Sequence, residues 1–266
     1  MWLALASSAL MAQAPSSADF DYGRSQIVES DAGQLLTLAN QTRASLGLGT
    51  LKWDPALAAG ALQHCLRMAR EGPIAHRYGG EPDVTERAGQ AGAHFSLIEE
   101  NIAVGANAAK IHQGWMNSPD HRENLLNPAI DRVGVAVVAR GGVFFAVADY
   151  ARVVPVLTQA QVEATFAGKL RARGLNILRD STQARAYCAS LGRYKGAEGP
   201  SFLMRWQSSD LTQLPQELAS KVASGDFRQA SVGSCSAQNV EGAFTVYRVA
   251  VLLYGQDADP WAKPFY

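Results

Sequence analysis

Two short apolar runs separated by a pair of glycines form the strongest pattern in this chain. The first covers residues 133–138 and the second residues 143–147, with Gly141-Gly142 between them. Apolar, β-branched and aromatic runs on either side of a Gly-Gly turn predict a β-hairpin. Because neither run alternates with polar residues, we expect both faces of the hairpin to be covered by other elements.

A helix with a continuous apolar stripe is predicted ahead of the hairpin. Asp54-Pro55 marks its start, since aspartate is a favoured N-cap and proline is tolerated at the first helical position. Gly72-Pro73 marks its end. The residues of the stripe are Leu57, Ala61, Cys65 and Met68. His64 lies beside the stripe, where a histidine bonded to a neighbour is a simpler explanation than a ligand role.

Two more helices are predicted from their start signals. Asp31 begins a pattern that resembles a capping box. Asn107 is a favourable cap for a helix that carries Ile111 and Trp115 on one face. On that helix His112 would point into solvent.

A short helical segment carrying His121 connects these helices to the hairpin. Ser118 is its expected N-cap and Pro119 its first helical residue. Capping explains Ser118 fully, which makes it a weak candidate for a nucleophile. His76 stands in a different setting, a loop that follows a helix stop, and loops on a rigid scaffold are where functional residues concentrate.

Residues 81–95 are rich in glycine, charge and turn formers, which predicts a long surface loop with His94 in solvent. Two adjacent carboxylates follow among apolar residues. Glu99 could reach back to Ser96 as in a capping box. Glu100 has no comparable partner, and a carboxylate in apolar surroundings is unfavourable unless it is paired or hydrogen-bonded.

The remainder of the chain, residues 155–266, predicts a smaller α+β domain. Its expected elements are helices at 157–173 and 214–222 and strands at 202–206, 230–236 and 243–254. Val232-Gly233 faintly echoes Val133-Gly134, and the stretch around Trp206 echoes that around Trp115. Convergent helix-hairpin patterning explains this echo more simply than a partial duplication.

The composition is that of an ordinary globular protein, with 47% hydrophobic and 18% charged residues. The formal net charge is zero and the pI is near 7.0. The sequence therefore shows no electrostatic footprint for nucleic acid or an anionic membrane surface. Beyond the N-terminus no run approaches the roughly 20 apolar residues of a membrane span, and we expect none.

The N-terminus resembles a secretory signal. Residues 2–11 are apolar, and Ala12 and Ala14 fit a cleavage pattern, although a basic region is missing. We therefore expect a signal-like segment over residues 1–14, a linker over residues 15–30, and a secreted or periplasmic protein.

Three cysteines are too few and too widely spaced for a zinc framework. In an oxidising compartment Cys188 and Cys235 could pair, which would leave Cys65 as a buried thiol. Buried, unpaired cysteines are nearly as consistent with the sequence, because a disulfide needs close Cα approach.

Six separate pieces of residues 35–150 together resemble the CAP superfamily of cysteine-rich secretory, antigen-five and plant pathogenesis-related proteins, and most closely its bacterial secreted branch. The pieces are Leu36, Leu38, Asn40 and Arg43; Leu51 to Asp54 with Leu57; His76; Glu100 to Ala103; Trp115 and Ser118 with His121 to Asn124; and Val133 to Val135. The resemblance implies an α/β fold, a three-layer α-β-α sandwich over residues 31–154. The smaller α+β domain, residues 155–266, would follow it.

The resemblance also implies a cleft that holds two histidines and two glutamates. His76 and His121 match the histidines. Glu100 matches the glutamate of the family's Gly-Glu-Asn motif, with Glu99 in place of the glycine. Ser118 stands where the second glutamate is expected, so three of the four cleft residues are present.

The chemistry of this cleft leaves more than one function open. His76 and His121, with Glu100, could hold a divalent metal such as zinc, although no cofactor is required. We expect a secreted, non-enzymatic binding or interaction module for a small ligand, lipid, glycan, peptide or protein partner, because no activated nucleophile accompanies the cleft. The alternatives are a metal-dependent hydrolase acting on cell-wall or peptide substrates, and a structural domain with no ligand.

Overall fold

The computed structural model describes residues 25–190, 200–236 and 244–255. The predicted signal-like segment and most of the predicted linker lie outside these residues. Within the described ranges, no helix is long and apolar enough to cross a membrane.

The first half of the chain builds one sheet from five strands. In chain order its elements are β1 (Gln26–Ile27), α1 (Glu29–Ser45), β2 (Lys52–Trp53), α2 (Pro55–Glu71), α3 (Val84–Gln90), β3 (Phe95–Gly105), α4 (Ala108–Asn117), α5 (Pro119–Leu126), β4 (Arg132–Arg140) and β5 (Val143–Val153). The central strands β4 and β5 pair antiparallel, and β3 lies beside β5 at the edge of the sheet. On its other side β4 pairs antiparallel with β1 and parallel with β2.

The predicted hairpin is confirmed as β4 and β5. Gly141 and Gly142 have φ values of 59° and 80°, a left-handed pair that suits a two-residue hairpin turn. Helices cover both faces of the sheet. The apolar stripe of α2, from Leu57 to Met68, is fully buried on one face, and α1 and α4 share a core with β4 and β5 on the other. The α-β-α sandwich expected from the resemblance is therefore present.

The second half repeats this arrangement with a four-stranded sheet. Its elements are α6 (Gln159–Arg171), β6 (Asn176–Ile177), α7 (Thr182–Ala189), β7 (Phe202–Ser208), α8 (Gln216–Ala223), β8 (Phe227–Cys235) and β9 (Tyr247–Gly255). The strand order β6-β8-β9-β7 matches β2-β4-β5-β3, and β6 is parallel to β8 as β2 is to β4. Helices α6 and α8 pack on one face and α7 on the other.

A buried glycine in each central strand allows a helix to pack directly on the sheet. A Cβ added to Gly134 would lie 2.0 Å from the backbone nitrogen of Ala58 in α2. A Cβ added to Gly233 would lie 2.3 Å from the backbone nitrogen of Arg185 in α7. Ala58 and Arg185 both occupy the fourth position of their helices. The echo around these glycines is thus a structural equivalence, whereas Trp115 lies on a helix and Trp206 on a strand.

The two halves meet at the start of β3. The backbone N–H of Thr245 donates to the carbonyl of Phe95 over 2.8 Å. The rings of Phe95 and Phe244 pack edge to face with centroids 5.4 Å apart. This contact connects the second half to the strand that carries Glu100.

Two predicted local structures before β3 are different in the fold. Helix α1 begins at Glu29, inside the predicted linker, and its N-cap Val28 makes no side-chain hydrogen bond. Asp31 instead accepts a hydrogen bond from the backbone of Ala108 and so connects α1 to the start of α4. The predicted loop at 81–95 contains α3, whose capping box is formed by Asp83 and Glu86.

Three predictions for polar side chains are also corrected. Glu99 lies on the extended strand β3, where it accepts a hydrogen bond from Asn127 and cannot cap a helix with Ser96. His112 is half-buried, with its Nε2 atom 3.2 Å from the hydroxyl of Thr42, because α4 packs on α1. Ser118 occupies the N-cap position of α5, as predicted, but its side chain makes no capping hydrogen bond.

The open question about the cysteines is answered by the second half. Cys188 at the end of α7 and Cys235 at the end of β8 form a disulfide. Cys65 is a free, buried cysteine on α2. Burial raises the pKa of its thiol to about 12, so this side chain behaves as an apolar residue.

Candidate functional site

The three histidine and glutamate residues expected to form the cleft come together at the free edge of β3. Glu100 lies on β3, His76 lies on the loop between α2 and α3, and His121 lies on α5. The ring centroids of the two histidines are 6.5 Å apart. The fold therefore gathers residues that are far apart in sequence around one strand edge.

Glu100 is a buried carboxylate with both oxygens engaged. Its side chain is 4% exposed. One oxygen, Oε1, lies 2.8 Å from Nδ1 of His76, and Oε2 accepts a hydrogen bond from the guanidinium of Arg87. Because a carboxylate can only accept, the hydrogen between Glu100 and His76 belongs to Nδ1 of the imidazole. His76 then presents Nε2 outward.

Arg87 is the charge partner that the sequence did not suggest. It lies on α3, inside the segment predicted as a loop, and its side chain is 1% exposed. Its guanidinium also donates to the backbone carbonyls of His76 and Pro82. Arg87 therefore fixes both Glu100 and the loop that carries His76. The capping-box spacing of Asp83 and Glu86 was the available sequence signal for α3.

A second buried acid lies next to Glu100 and was also missed. Asp149 on β5 is the register partner of Glu100 and is completely buried. Burial and the neighbouring charge of Glu100 raise the pKa of Asp149 well above its ordinary value, while Arg87 acts in the opposite direction. The signal in the sequence was an aspartate inside an otherwise apolar strand.

His121 is positioned through the backbone of α5. The side-chain amide of Asn101 donates to the carbonyl of His121 over 2.8 Å. The amide of Asn124 donates to the side chain of Asn101 over 3.0 Å, which holds α5 against β3. Burial, followed by the nearby His76, lowers the pKa of His121, so its imidazole is neutral at pH 7.

Ser118 contributes less than the family pattern suggests. It is half-buried at the junction of α4 and α5. Across the described ranges, no side-chain hydrogen bond joins it to His76, Glu100 or His121. Ser118 therefore lies in the turn between the two helices, and its place in the expected cleft stays a prediction.

His64 on α2 stabilises the loop that carries His76 and is not itself part of the candidate site. It is fully buried, as a bonded structural histidine would be. Its Nδ1 lies 2.8 Å from Glu81 and its Nε2 lies 2.9 Å from the carbonyl of Ala75. Glu81 also accepts from the backbone N–H of Tyr78. These bonds attach the loop around His76 to α2.

The donor atoms available for a metal are fewer than expected. In the described parts of the chain, no group of three or more histidine, cysteine, aspartate or glutamate side chains is placed to hold a metal ion. Both oxygens of Glu100 already have partners, which leaves the two imidazoles as free donors. Metal binding at His76 and His121 therefore stays a prediction.

Two sizeable cavities lie away from the histidines, at the outer edges of the central strands. One, of about 510 Å³, is mainly apolar and borders β4, with Ile27, Trp53 and Leu62 in its wall. The other, of about 610 Å³, borders β8 near the disulfide and contains Arg185 and Arg248. They occupy equivalent places in the two halves.

Comparison with known proteins points to the same segment of the chain. The family model for the cysteine-rich secretory protein family, CAP, matches residues 36–150. The uncharacterized membrane protein YlbC of Bacillus subtilis is 33% identical over 108 residues, 39% of this chain and 30% of that protein. The uncharacterized protein YkwD of the same organism is 30% identical over 115 residues, 42% of this chain and 44% of that protein. The chain thus spans less than half the length of both relatives.

Two solved structures with similar regions come from a bacterial extracellular protein and a bacterial outer surface protein. An extracellular protein containing an SCP domain from Bacillus anthracis has 29% identity and a TM-score of 0.44, covering 47% of this chain and 41% of that one. An outer surface protein from Borrelia burgdorferi has 22% identity and a TM-score of 0.46, covering 49% and 99%. Residues 36–150, which include His76, Glu100 and His121, are a domain of the CAP family.

Proposed function

We propose that this chain is an exported binding protein whose CAP domain recognises a ligand at the surface formed by His76 and His121. The observation that carries the proposal is the engagement of Glu100. Its oxygens are held by Arg87 and His76, so it orients an imidazole and is not free to act as a base or nucleophile. Recognition then uses the outward edges of the two rings.

The state of the imidazoles indicates which ligand groups they suit. His121 is neutral at pH 7 because its pKa is lowered, and a neutral imidazole both donates and accepts hydrogen bonds. Nε2 of His76 is an acceptor when Nδ1 donates to Glu100. Hydroxyl, amide and protonated acid groups match this pair, which favours a glycan, a peptide or the polar head of a lipid.

The absence of an activated nucleophile at the described surface supports binding over catalysis. Among the described residues, no histidine is hydrogen-bonded to the side chain of Ser118, and the thiol of Cys65 is buried with a raised pKa. A covalent mechanism needs a nucleophile beside a base. The hydrolase alternative would therefore depend on a bound metal.

Export is supported by two separate observations. The Cys188–Cys235 disulfide is typical of oxidising compartments. Similar solved proteins are described as extracellular or as outer surface proteins. Together with the signal-like N-terminus, these observations favour a secreted or periplasmic location.

Native mass spectrometry of the protein purified from the extracellular or periplasmic fraction of its own host tests the proposal. We expect a retained ligand mass that is lost from the double variant His76→Ala/His121→Ala. His94→Ala, an exposed histidine outside the site, is the matched control and should keep the mass. A wild-type protein with no retained mass, or a mass that survives the double variant, would contradict the proposal. A stoichiometric metal lost with His121 would favour the hydrolase.

A further inference from the structure

The side of β4 that faces away from β5 is covered by other strands only at its two ends. β1 pairs with Val138 and Ala139 at one end, and β2 pairs with Arg132 and Val133 at the other. Among the described residues, no strand pairs with this side of β4 between those positions. We call residues 134–137 of β4 the edge gap. At roughly 3.3 Å per residue the gap is about 13 Å long, the length of a very short strand.

The backbone of Val135 faces the edge gap. The carbonyl of Val133 accepts a hydrogen bond from the backbone N–H of Asp54. The carbonyl of Val137 accepts one from the backbone N–H of Val28. Because the backbone groups of alternate residues in a strand point to the same side, the N–H and the C=O of Val135 face this side as well. Across the described ranges, neither group has a hydrogen-bond partner.

The equivalent position of the second half shows which groups such a backbone can bind. Ser234 on β8 corresponds to Val135, because each directly follows the buried glycine on which a helix packs. The N–H of Ser234 donates to Oε1 of Glu163 over 2.9 Å, and its carbonyl accepts from the side chain of Gln159. Helix α6 thus supplies one acceptor and one donor. Val135 is only 5% exposed, and a buried peptide group without a partner is unfavourable.

The cavity beside β4 provides space for a small molecule at this backbone. Its volume is about 510 Å³, and residues 135–137 of β4 form part of its wall. Gly33 of α1 and Leu62 of α2 line it from the two faces of the sheet. Ile27 of β1 and Trp53 of β2, which also line it, are large apolar side chains that are 49% and 41% exposed. Apolar walls around one donor and one acceptor suit an apolar molecule that contains an amide group.

We propose that the edge gap binds a short apolar peptide of two or three residues in an extended conformation. A carbonyl of the peptide accepts from the N–H of Val135, and an N–H of the peptide donates to the C=O of Val135, as in a strand added to a sheet. The peptide is short because β1 and β2 pair with β4 on either side of the gap. This inference goes beyond the proposed function, because β5 lies between β4 and β3, the strand that carries Glu100.

A titration of the ¹⁵N-labelled full chain with the uncharged peptide acetyl-alanyl-valyl-alanine amide tests the hydrogen bonds. We expect the amide resonance of Val135 to move downfield to saturation, because its N–H gains an acceptor. The same peptide methylated at its three backbone nitrogens keeps the apolar groups and loses those donors, so it should bind about fivefold more weakly or worse. Absence of any shift at Val135, or equal affinity of the two peptides, would overturn the proposal.

A variant that fills the cavity tests where the peptide binds. Among the described residues, no atom lies within 4 Å of a Cβ added to Gly33, so Gly33→Phe can place its ring in the cavity without displacing α1. We expect the peptide affinity to fall by about tenfold or more. Gly114→Phe on α4, where an added Cβ is equally free, is the matched control and should bind like the wild type. An unchanged affinity in Gly33→Phe would overturn the proposal.

Two further results separate the peptide from other occupants of the edge gap. The double variant His76→Ala/His121→Ala should bind the peptide like the wild type, and loss of binding in that variant would overturn the assignment to β4. Light scattering of the full chain should give the same molar mass for the wild type and Gly33→Phe. A dimer that Gly33→Phe converts to a monomer would assign the gap to a second copy of the chain and overturn the proposal. If Gly33→Phe does not fold, the two peptides still test the proposal on the wild type.

Discussion

The two halves of this chain share the strand order of their sheets, and the first brings two histidines together beside an edge strand. The pairing register of the strands shows which positions of the two sheets are equivalent. Glu100 and Asp149 are paired across β3 and β5, beside Gly134, and the corresponding pair across β7 and β9, beside Gly233, is Arg205 and Ala250. The backbone therefore does not create the site. His76, Glu100 and His121 create it, together with α3, which carries Arg87, and α5, which carries His121.

The helix that carries His121 is a clear difference between the halves. Between β3 and β4 the chain forms α4 and α5, whereas residues 209–226, between β7 and β8, form α8 alone. Residues 209–226 therefore contain no counterpart of α5 that could place a side chain beside β7. The short helix α5 is thus one of the differences between the second half and the half that carries the candidate site.

The side of the central strand that faces away from the hairpin partner is polar in the second half and apolar in the first. In the second half, Glu163 accepts a hydrogen bond from the backbone N–H of Ser234 and pairs with Arg185, and the side chain of Gln159 donates to the carbonyl of Ser234. The equivalent edge of β4, near Val135, borders the apolar cavity. Equivalent positions in the two halves thus carry different side chains, so shared topology does not predict shared recognition.

The largest expected effect follows from the shared framework. Gly134→Ala and Gly233→Ala would each force a methyl group into helix backbone that cannot move easily. We expect each change to destabilise its own half by about 3 kcal/mol or more. Urea unfolding, followed by tryptophan fluorescence, measures this effect. Gly168→Ala on α6 has free space and should be neutral or stabilising. If either Gly134→Ala or Gly233→Ala left the free energy of unfolding unchanged, the two glycines would not have equivalent roles in the two halves.

The next effect tests the buried charges that distinguish the first half. Glu100→Ala leaves Arg87 buried without its carboxylate and should lower the free energy of unfolding by about 3–5 kcal/mol. Glu71→Ala breaks the exposed pair with Arg67 and should change it by less than about 1 kcal/mol. Similar values for the two variants, measured by denaturant unfolding, would show that Glu100 is not held as described.

The disulfide should stabilise the second half alone. Replacement of Cys188 and Cys235 by serine removes a cross-link over 47 residues of sequence and should lower stability by about 2–4 kcal/mol. Hydrogen exchange should show the loss in β8 and β9 and leave β4 and β5 unchanged. Loss of protection in both halves would mean that they unfold as one unit.

The smallest effect is a dependence on pH in the first half. Burial lowers the pKa values of His112 and His121, so the unfolded chain binds protons more readily than the folded one as the pH falls below about 6.5. Stability should therefore be complete above that pH and decline below it. His112→Gln should reduce the decline in thermal unfolding measured at pH 5. An unchanged decline would assign it to other groups.

The parts of this structure that could be predicted depend on local patterns. The hairpin and α2 were predictable because apolar runs, turn glycines and capping residues act within a few positions. Arg87 and Asp149 could not be predicted, because their roles come from strand register and from α3 packing beside β3. His76, Glu100 and His121 were identified through the family resemblance, since no spacing rule connects them.

We propose that ligand recognition is confined to the first half of the chain. Hydrogen–deuterium exchange of the full chain, with and without the small-molecule extract of its host's medium or periplasm, tests it most directly. We expect added protection in the peptides that contain His76, Glu100 and His121, with no change around Glu163 and Arg185. Protection confined to the cavity beside β8, or protection equal in both halves, would contradict it.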